Sequence, residues 1–291
     1  MDLRLLTYFL TIAKYQNITQ AAQALHMTQP ALSRQLKELE QSLGVTLFLR
    51  GKRKTTLTEE GLLLQARAEE ILSLVEKTKS EFEDTQKQVA GIIHMGCAET
   101  YAMKCITDTL YTIQKDHPHL SLSITSADEI QVMNDLEKGL LDFGVVVEPS
   151  MSKQYEYLLL PYVDYWGVLM KEDDPLAQED AITPHMLYHK TLIISTQAHM
   201  NQEFFSWWNN PDEPMQISSY ISLLYNGSLL VQSGVGYLLA LDRIISPCQA
   251  NGLAFRPLSP TLTSRTYLTW KKDRPLSHTA HYFLNQLKES I

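Results

Sequence analysis

The sequence predicts three parts in series: a small helical domain closed by a basic hairpin, one long helix, and a two-lobed α/β domain. Three observations predict them. Apolar residues recur at helical spacing from Leu3 to Leu43, interrupted by turn signals and followed by a short basic run. No proline interrupts the chain between Thr58 and Gly91. Beyond Gly91, short apolar runs alternate with helix-period segments, which is the pattern of an α/β sheet covered on both faces.

The chain has 291 residues, 44% hydrophobic and 20% charged. That length suits about two domains, since domains run about 100–200 residues. The composition is globular and excludes collagen, low-complexity scaffolds and global disorder. No run of about 18 apolar residues exists, so no membrane span or membrane partner is expected. The amino-terminal MDLRLLTYFLTIAKYQ lacks the apolar core of a signal peptide. Three cysteines, Cys97, Cys105 and Cys248, form an odd, sparse set that fits a reducing cytoplasm. The net charge of −8 hides a division. Residues 1–60 hold eight Lys and Arg against five acids, whereas residues 91–291 hold 13 against 22. The amino-terminal end is locally basic and the acid lies in the remainder.

The first helix is expected over about Asp2–Tyr15, with Leu3, Leu6, Phe9, Leu10 and Ala13 on its apolar face. Asn17 or Thr19 caps a second helix, whose small inner residues Ala21 and Ala22 let a neighbour approach closely. His26 and Met27 turn the chain. Thr28 caps a third helix with Pro30 in its first turn, where a missing N–H costs nothing. Leu32, Leu36, Leu39 and Leu43 line its inner side, and Gly44 ends it. Gln29, Ser33, Arg34, Lys37 and Gln41 lie largely opposite. Two short helices, a tight turn and a polar outer face on the second are a helix-turn-helix pattern. Glutamine pairs with adenine, serine bonds either partner, and arginine reads guanine or grips phosphate. The competing reading is a small helical bundle with a solvated face. Val45, Leu47 and Phe48 then read as a strand, and Arg50-Gly51-Lys52-Arg53-Lys54 as a basic turn in which Gly51 supplies positive φ. Thr55-Thr56-Leu57 reads as the return strand. Such a hairpin is a wing, whose charges neutralise phosphates and make binding salt-dependent.

These residues carry a resemblance. Ala21-Ala22, Leu25, Thr28-Gln29-Pro30-Ala31-Leu32-Ser33, Gln35-Leu36, Leu39-Glu40, Leu43-Gly44, Leu47-Phe48, Arg50 and Leu57-Thr58-x-x-Gly61 resemble the winged helix-turn-helix of LysR-type transcriptional regulators over about sixty residues. Leu49 departs from the acid often found there. The resemblance implies that Gln29, Pro30, Ser33 and Arg34 face bases or adjacent phosphates, and that Arg50 and Arg53 hold the backbone. Thr28, Lys37 and Lys52 complete the candidate DNA-contacting set. The partner implied is double-stranded DNA with two half-sites, and RNA polymerase is a further partner of such regulators.

Thr58 caps the long helix, with Glu59 and Glu60 in the first turn, where negative charge is favoured. Leu57, Gly61, Leu64, Ala68, Ile71, Val75, Thr78, Phe82, Thr85 and Val89 follow steps of four and three, a heptad seam. The seam predicts a dimerising helix over 59–90 with Leu64, Ala68, Ile71, Val75 and Phe82 in contact; the alternative is a helix packed on its own domain. The resemblance implies dimers and, often, tetramers.

The domains expected are 1–58, 59–90 and 91–291. Beyond Gly91 the strands expected include Ile92–Met95, Leu120–Thr125, Phe143–Val147, two extended segments through Pro161 within Tyr155–Lys171, Leu192–Ser195, Tyr237–Leu241 and Thr266–Lys271. Helices are expected over Thr100–Lys115, Glu129–Gly139, Gln202–Trp208, Ser228–Ser233 and Ser277–Glu289. The resemblance, looser here and carried mostly by Leu140-x-Asp142-x-Gly144 and Gly234-x-Gly236, implies a type 2 periplasmic-binding-protein-like domain with crossovers near Tyr162 and Arg265. Lobe one would hold about 91–161 and 267–291, and lobe two about 162–266.

Ligands of such folds sit between lobes, at strand carboxyl ends and helix starts. The candidate effector residues are therefore Ala98, Glu99, Thr100, Glu129, Ser195, Thr196 and Asn226. Thr100 matches a position that often carries a ligand-binding hydroxyl in relatives. Glu129 stands where relatives commonly have Ser or Thr, and Val147 where some have Arg. Two acids and no arginine in the cleft would repel a carboxylate, so a neutral or cationic effector is expected; alternatively both acids merely cap helix starts. Cys97 precedes a helix start, which lowers a thiol pKa, but inert buried thiols are the plainer reading. His185 and His189 lack further ligands, so no metal is expected. No phosphate loop or nucleophile elbow stands out, so no cofactor is expected beyond a small-molecule effector. Two rivals remain: a small-molecule-binding α/β protein without regulatory role, and an enzyme on the carboxyl-terminal domain.

Overall fold

A computed structural model describes residues 2–51, 54–83, 89–195, 202–208, 212–244 and 252–291, without the side chains of Arg50, 80–83 and 202–203. The chain divides into two compact units, Met1–Phe82 and Glu83–Ile291.

The amino-terminal unit is a winged helix-turn-helix followed by the long helix. Helix α1 spans Leu3–Tyr15, α2 Ile18–Ala24 and α3 Gln29–Leu43. Asn17 caps α2, accepting from the N–H groups of Thr19 and Gln20. Thr28 caps α3, with Pro30 in the first turn, and Gly44 ends it at φ 71°. Leu6, Phe9, Ile12, Ala21, Ala22, Leu32, Leu36 and Leu39 form the core. Strands β1, Phe48–Arg50, and β2, Thr55–Leu57, pair antiparallel to make the wing. Gly51 does not take positive φ; instead a Cβ there would meet the Lys54 carbonyl oxygen at 2.8 Å, so the tight turn needs it for space.

Helix α4 spans Glu59–Glu83. The Thr58 hydroxyl caps it, accepting from Gly61 N–H at 2.9 Å and donating to the Thr46 carbonyl at 2.8 Å. Here the expected seam is corrected. Leu64, Ala68 and Ile71 pack against the core of their own winged domain, and Ala68 is fully buried there. Val75 is half-buried, the Phe82 side chain and Thr85 lie outside the described residues, and Val89 is not helical. Val89 packs into the core of the second unit. A heptad count detects an apolar stripe but not which neighbour covers it. The leucines α4 leaves exposed are Leu62, Leu63 and Leu74.

The second unit is a two-lobed α/β domain. Lobe one orders its strands β4–β3–β5–β11–β6, where β3 is Gly91–Cys97, β4 Leu120–Ser126, β5 Phe143–Val147, β6 Tyr155–Lys171 and β11 Thr263–Lys271. Helices α5, Met103–Gln114, and α6, Glu129–Lys138, connect the parallel strands. Helix α10, His278–Ser290, packs on the face that carries α5. In lobe two, β6 pairs with β9, Tyr237–Leu241, which leads to β7, Thr191–Ser195, and β8, Gln216–Ile221. Its helices are the short α7, Pro184–Leu187, then α8, Gln202–Trp208, and α9, Leu224–Gln232. Each sheet has apolar clusters on both faces, which is why β5, β7 and β9 read as unbroken apolar runs.

Two strands of this domain differ from expectation. The two segments through Pro161 are one 17-residue strand, β6, shared by both lobes. Pro161 falls where the β6–β11 register shifts, between the Leu159–Tyr267 and Val163–Arg265 pairs, so its missing N–H breaks no ladder. Strand β10, Leu253–Pro257, pairs with β6 and was not expected. No helix among the described residues is long and apolar enough to cross a membrane.

Candidate functional site

The outer face of α3 presents Gln29, Pro30, Arg34 and Lys37 to solvent, with Thr28 exposed at its start and Ser33 half-exposed. This arrangement follows from Leu32, Leu36 and Leu39 being drawn inward at steps of four and three. Gln29 Nε2 donates to Ser33 Oγ at 2.8 Å, which orders two polar groups one turn apart. The wing is held to α3 by Glu40, whose carboxylate accepts from Leu47 N–H at 2.8 Å and Phe48 N–H at 3.3 Å. It is held to α1 by Thr55 N–H donating to the Gln16 carbonyl at 2.9 Å. Lys52 and Arg53, with the Arg50 side chain, lie outside the described residues.

In the second unit, the loop after β3 is the centre of a cavity of about 400 Å³. Ala98, Glu99, Thr100, Tyr101, Lys104 and Arg243 are among its lining residues, together with apolar Met103, Ile124 and Ile244. The loop is tied to both crossover strands. Thr100 Oγ1 donates to Asp164 Oδ2 at 2.5 Å and lies 3.1 Å from Thr266 Oγ1. Tyr101 N–H donates to Asp164 Oδ1 at 3.3 Å. Arg243 reaches the same place: its guanidinium donates to the Val163 carbonyl at 2.5 Å, pairs with Asp242 at 2.9 Å and lies 3.8 Å from Asp164. Its Cζ stands 4.4 Å from the Tyr101 ring centroid, a cation–π contact. Glu99 crosses the cleft, accepting from Leu224 N–H at the start of α9 at 2.6 Å.

The candidate effector residues therefore divide. Ala98, Glu99 and Thr100 line the cavity, although the Thr100 hydroxyl is already engaged. Glu129 does not line it; its carboxylate accepts from Ser150 N–H at 3.2 Å. Asn226 is the third residue of α9, not a position before its start, because the helix begins at Leu224. Ser195 ends β7, and Thr196 lies outside the described residues. The expected repulsion of carboxylates loses one premise, since an arginine, Arg243, lines the cavity. Sequence reasoning missed Arg243 and Asp164. Asp164 had a signal, an acid inside the apolar run Tyr162–Trp166. Arg243 had none, because its partners come from strands distant in sequence.

Asp164 is fully buried, and burial raises its carboxyl above the ordinary aspartate range. The Thr100 hydroxyl opposes this, the Asp242 charge adds to it, and Tyr101 N–H and Arg243 oppose it further. A folded-state pKa above the unfolded value means the native chain holds that proton more tightly. The group's contribution is greatest below the unfolded value, 3.8, and is lost as pH rises through the raised one. Asp164→Asn keeps a neutral amide among the same hydroxyls. Its stability relative to the parent should rise between about pH 4 and pH 7. Urea midpoints for both proteins across that range check this; a constant gap contradicts it.

The two described thiols are not activated, and Cys248 lies outside the described residues. Burial pushes Cys97 up to about 12 and Cys105 to about 11, so both are protonated at neutral pH. Among the described residues no cluster of three or more metal-ligating side chains occurs.

Comparison with known proteins places these two sites in context. Residues 3–62 match the model of the bacterial regulatory helix-turn-helix protein, lysR family, and residues 86–291 that of the LysR substrate binding domain. The chain is 42% identical to the HTH-type transcriptional regulator BsdA of Bacillus subtilis over 173 residues, 59% of each protein. It is 34% identical to YtlI of the same organism over 234 residues, 77% of this chain and 74% of that one. Its fold matches full-length CbnR complexed with its target DNA at a TM-score of 0.79 and 17% identity, covering all of both chains.

Proposed function

The chain belongs to the LysR family of bacterial transcriptional regulators, and from that premise we propose that α3 reads operator DNA while the cleft beside Thr100 takes the effector. The family consists of regulators with an effector-binding domain, not of enzymes. The observation that carries the reading is the exposed polar face of α3, with Gln29, Arg34 and Lys37 outward above a leucine core. In this reading Gln29 and Ser33 face base edges, and Arg34 faces guanine or a flanking phosphate. Lys37, Arg50, Lys52 and Arg53 supply the sequence-independent, salt-dependent part.

Double-stranded operators with two half-sites call for two copies of the winged unit. A second copy would cover Leu62, Leu63 and Leu74 of α4, which are exposed among the described residues. Sedimentation of the free protein as a monomer at micromolar concentration would remove that part of the reading.

Arg34→Ala should weaken binding to the cognate operator by about 1–3 kcal/mol and relax preference at one base position. Genome-wide mapping of bound DNA supplies the operator, and a competition gel shift with single-base variants reads the effect. Unchanged affinity together with unchanged preference would take Arg34 out of the readout set. Ligand closing the lobes would act on DNA only through differential affinity for two assembly states.

A further inference from the structure

The interlobe contact made by Glu99 is unlike the other ties of its loop. Thr100 and Tyr101 bond to Asp164 at the hinge, which both lobes share. Glu99 instead reaches from lobe one to the first backbone N–H of α9, in lobe two, 125 residues away in sequence. The N-terminus of a nine-residue helix with an N–H directed at a carboxylate oxygen favours negative charge. Of the two cations lining the same cavity, Arg243 is turned toward Asp242 and the Val163 carbonyl, and Lys104 pairs with Asp108 on its own helix. The carboxylate this cleft holds is thus its own.

We propose that Glu99 is the specificity-determining residue of the cleft: its tethered carboxylate occupies the place on α9 where a ligand carboxylate would dock, so free carboxylates bind only by displacing it. The proposal rests on the reading of this cleft as the effector site. A tethered group competes at a high effective concentration, and a ligand that needs the site vacant has its apparent affinity reduced by the fraction of time it is vacant. A vacancy of about one tenth corresponds to a tenfold loss for carboxylates and none for neutral ligands that do not use that N–H.

The test titrates the full-length chain, free of DNA, with benzoate and with its neutral isostere benzamide. The proteins are the parent, Glu99→Ala and Glu99→Gln, and calorimetry is the readout. Glu99→Ala should bind benzoate about tenfold more tightly than the parent, with benzamide affinity unchanged. Glu99→Gln, which keeps an uncharged acceptor for Leu224 N–H, should fall between the two. Equal gains for both probes would mean that the alanine merely made space, and would overturn the proposal. Measurable binding with no gain for benzoate would overturn it while leaving the cleft as a ligand site. No binding of either probe by any of the three proteins would remove the cleft reading and this proposal with it. Operator binding, measured separately, reports on the DNA-reading assignment independently of all these outcomes.

Discussion

Gly61→Ala is expected to destabilise the amino-terminal unit by about 3 kcal/mol, although the added group is a single methyl. A Cβ at Gly61 would stand 2.2 Å from the Leu47 carbonyl oxygen and 3.2 Å from its carbon. Both clashing partners are backbone, so no side-chain rotation relieves the overlap. The Leu47 carbonyl also accepts the Thr58 N–H at 3.0 Å, so displacing it breaks the junction between wing and α4. Gly44→Ala is the control. It sits at φ 71° with nothing within 4 Å of a new Cβ, so only backbone strain of about 1 kcal/mol is expected. Urea unfolding of the two variants separates the causes. Operator binding should follow the stability of Gly61→Ala, since the α3 surface is untouched. A Gly61→Ala protein as stable as Gly44→Ala would contradict the close approach.

Asp164→Ala is expected to cost the second unit about 4 kcal/mol. The carboxylate accepts from the Thr100 hydroxyl and the Tyr101 N–H, and from Thr266 Oγ1 at 3.3 Å. Thr100 and Thr266 are buried, so their hydroxyls would lose a partner with little water to replace it. Arg243 would lose the more buried of its two counter-charges, Asp164 at 3.8 Å, and keep Asp242 at 2.9 Å. Because Asp164 lies where β6 passes between lobes, its loss should also loosen the loop that carries Glu99. Asp164→Asn, which keeps hydrogen-bonding capacity, should be far milder. Thermal unfolding of both variants at neutral pH checks the ranking; equal losses would show that charge, not hydrogen bonding, holds the hinge.

Much of this architecture was legible locally. Asn17, Thr28, Thr58 and Ser277 cap the helices they precede, and Gly44 and Gly139 end theirs in the left-handed region. A cap acts within three or four residues, so a short window of sequence contains both partners. The same holds for the leucine rows that turn the α3 polar face outward. The cleft was legible only in outline. Ala98, Glu99 and Thr100 were placed by strand order, yet what each does there was not.

The sequence by itself determined most of the elements, their order, the leucine row Leu32, Leu36 and Leu39 that α3 turns inward, and the family to which the chain belongs. Each of these depends on residues a few positions apart. Tertiary structure alone decided that α4's inner stripe, Leu64, Ala68 and Ile71, covers its own domain, that β6 runs unbroken through both lobes, and that Glu129 accepts from Ser150 N–H. It also brought Asp164 to Thr100 across 64 residues and Glu99 to Leu224 across 125. Such pairings are chosen by what the folded sheet brings within hydrogen-bond reach. No spacing along the chain encodes them.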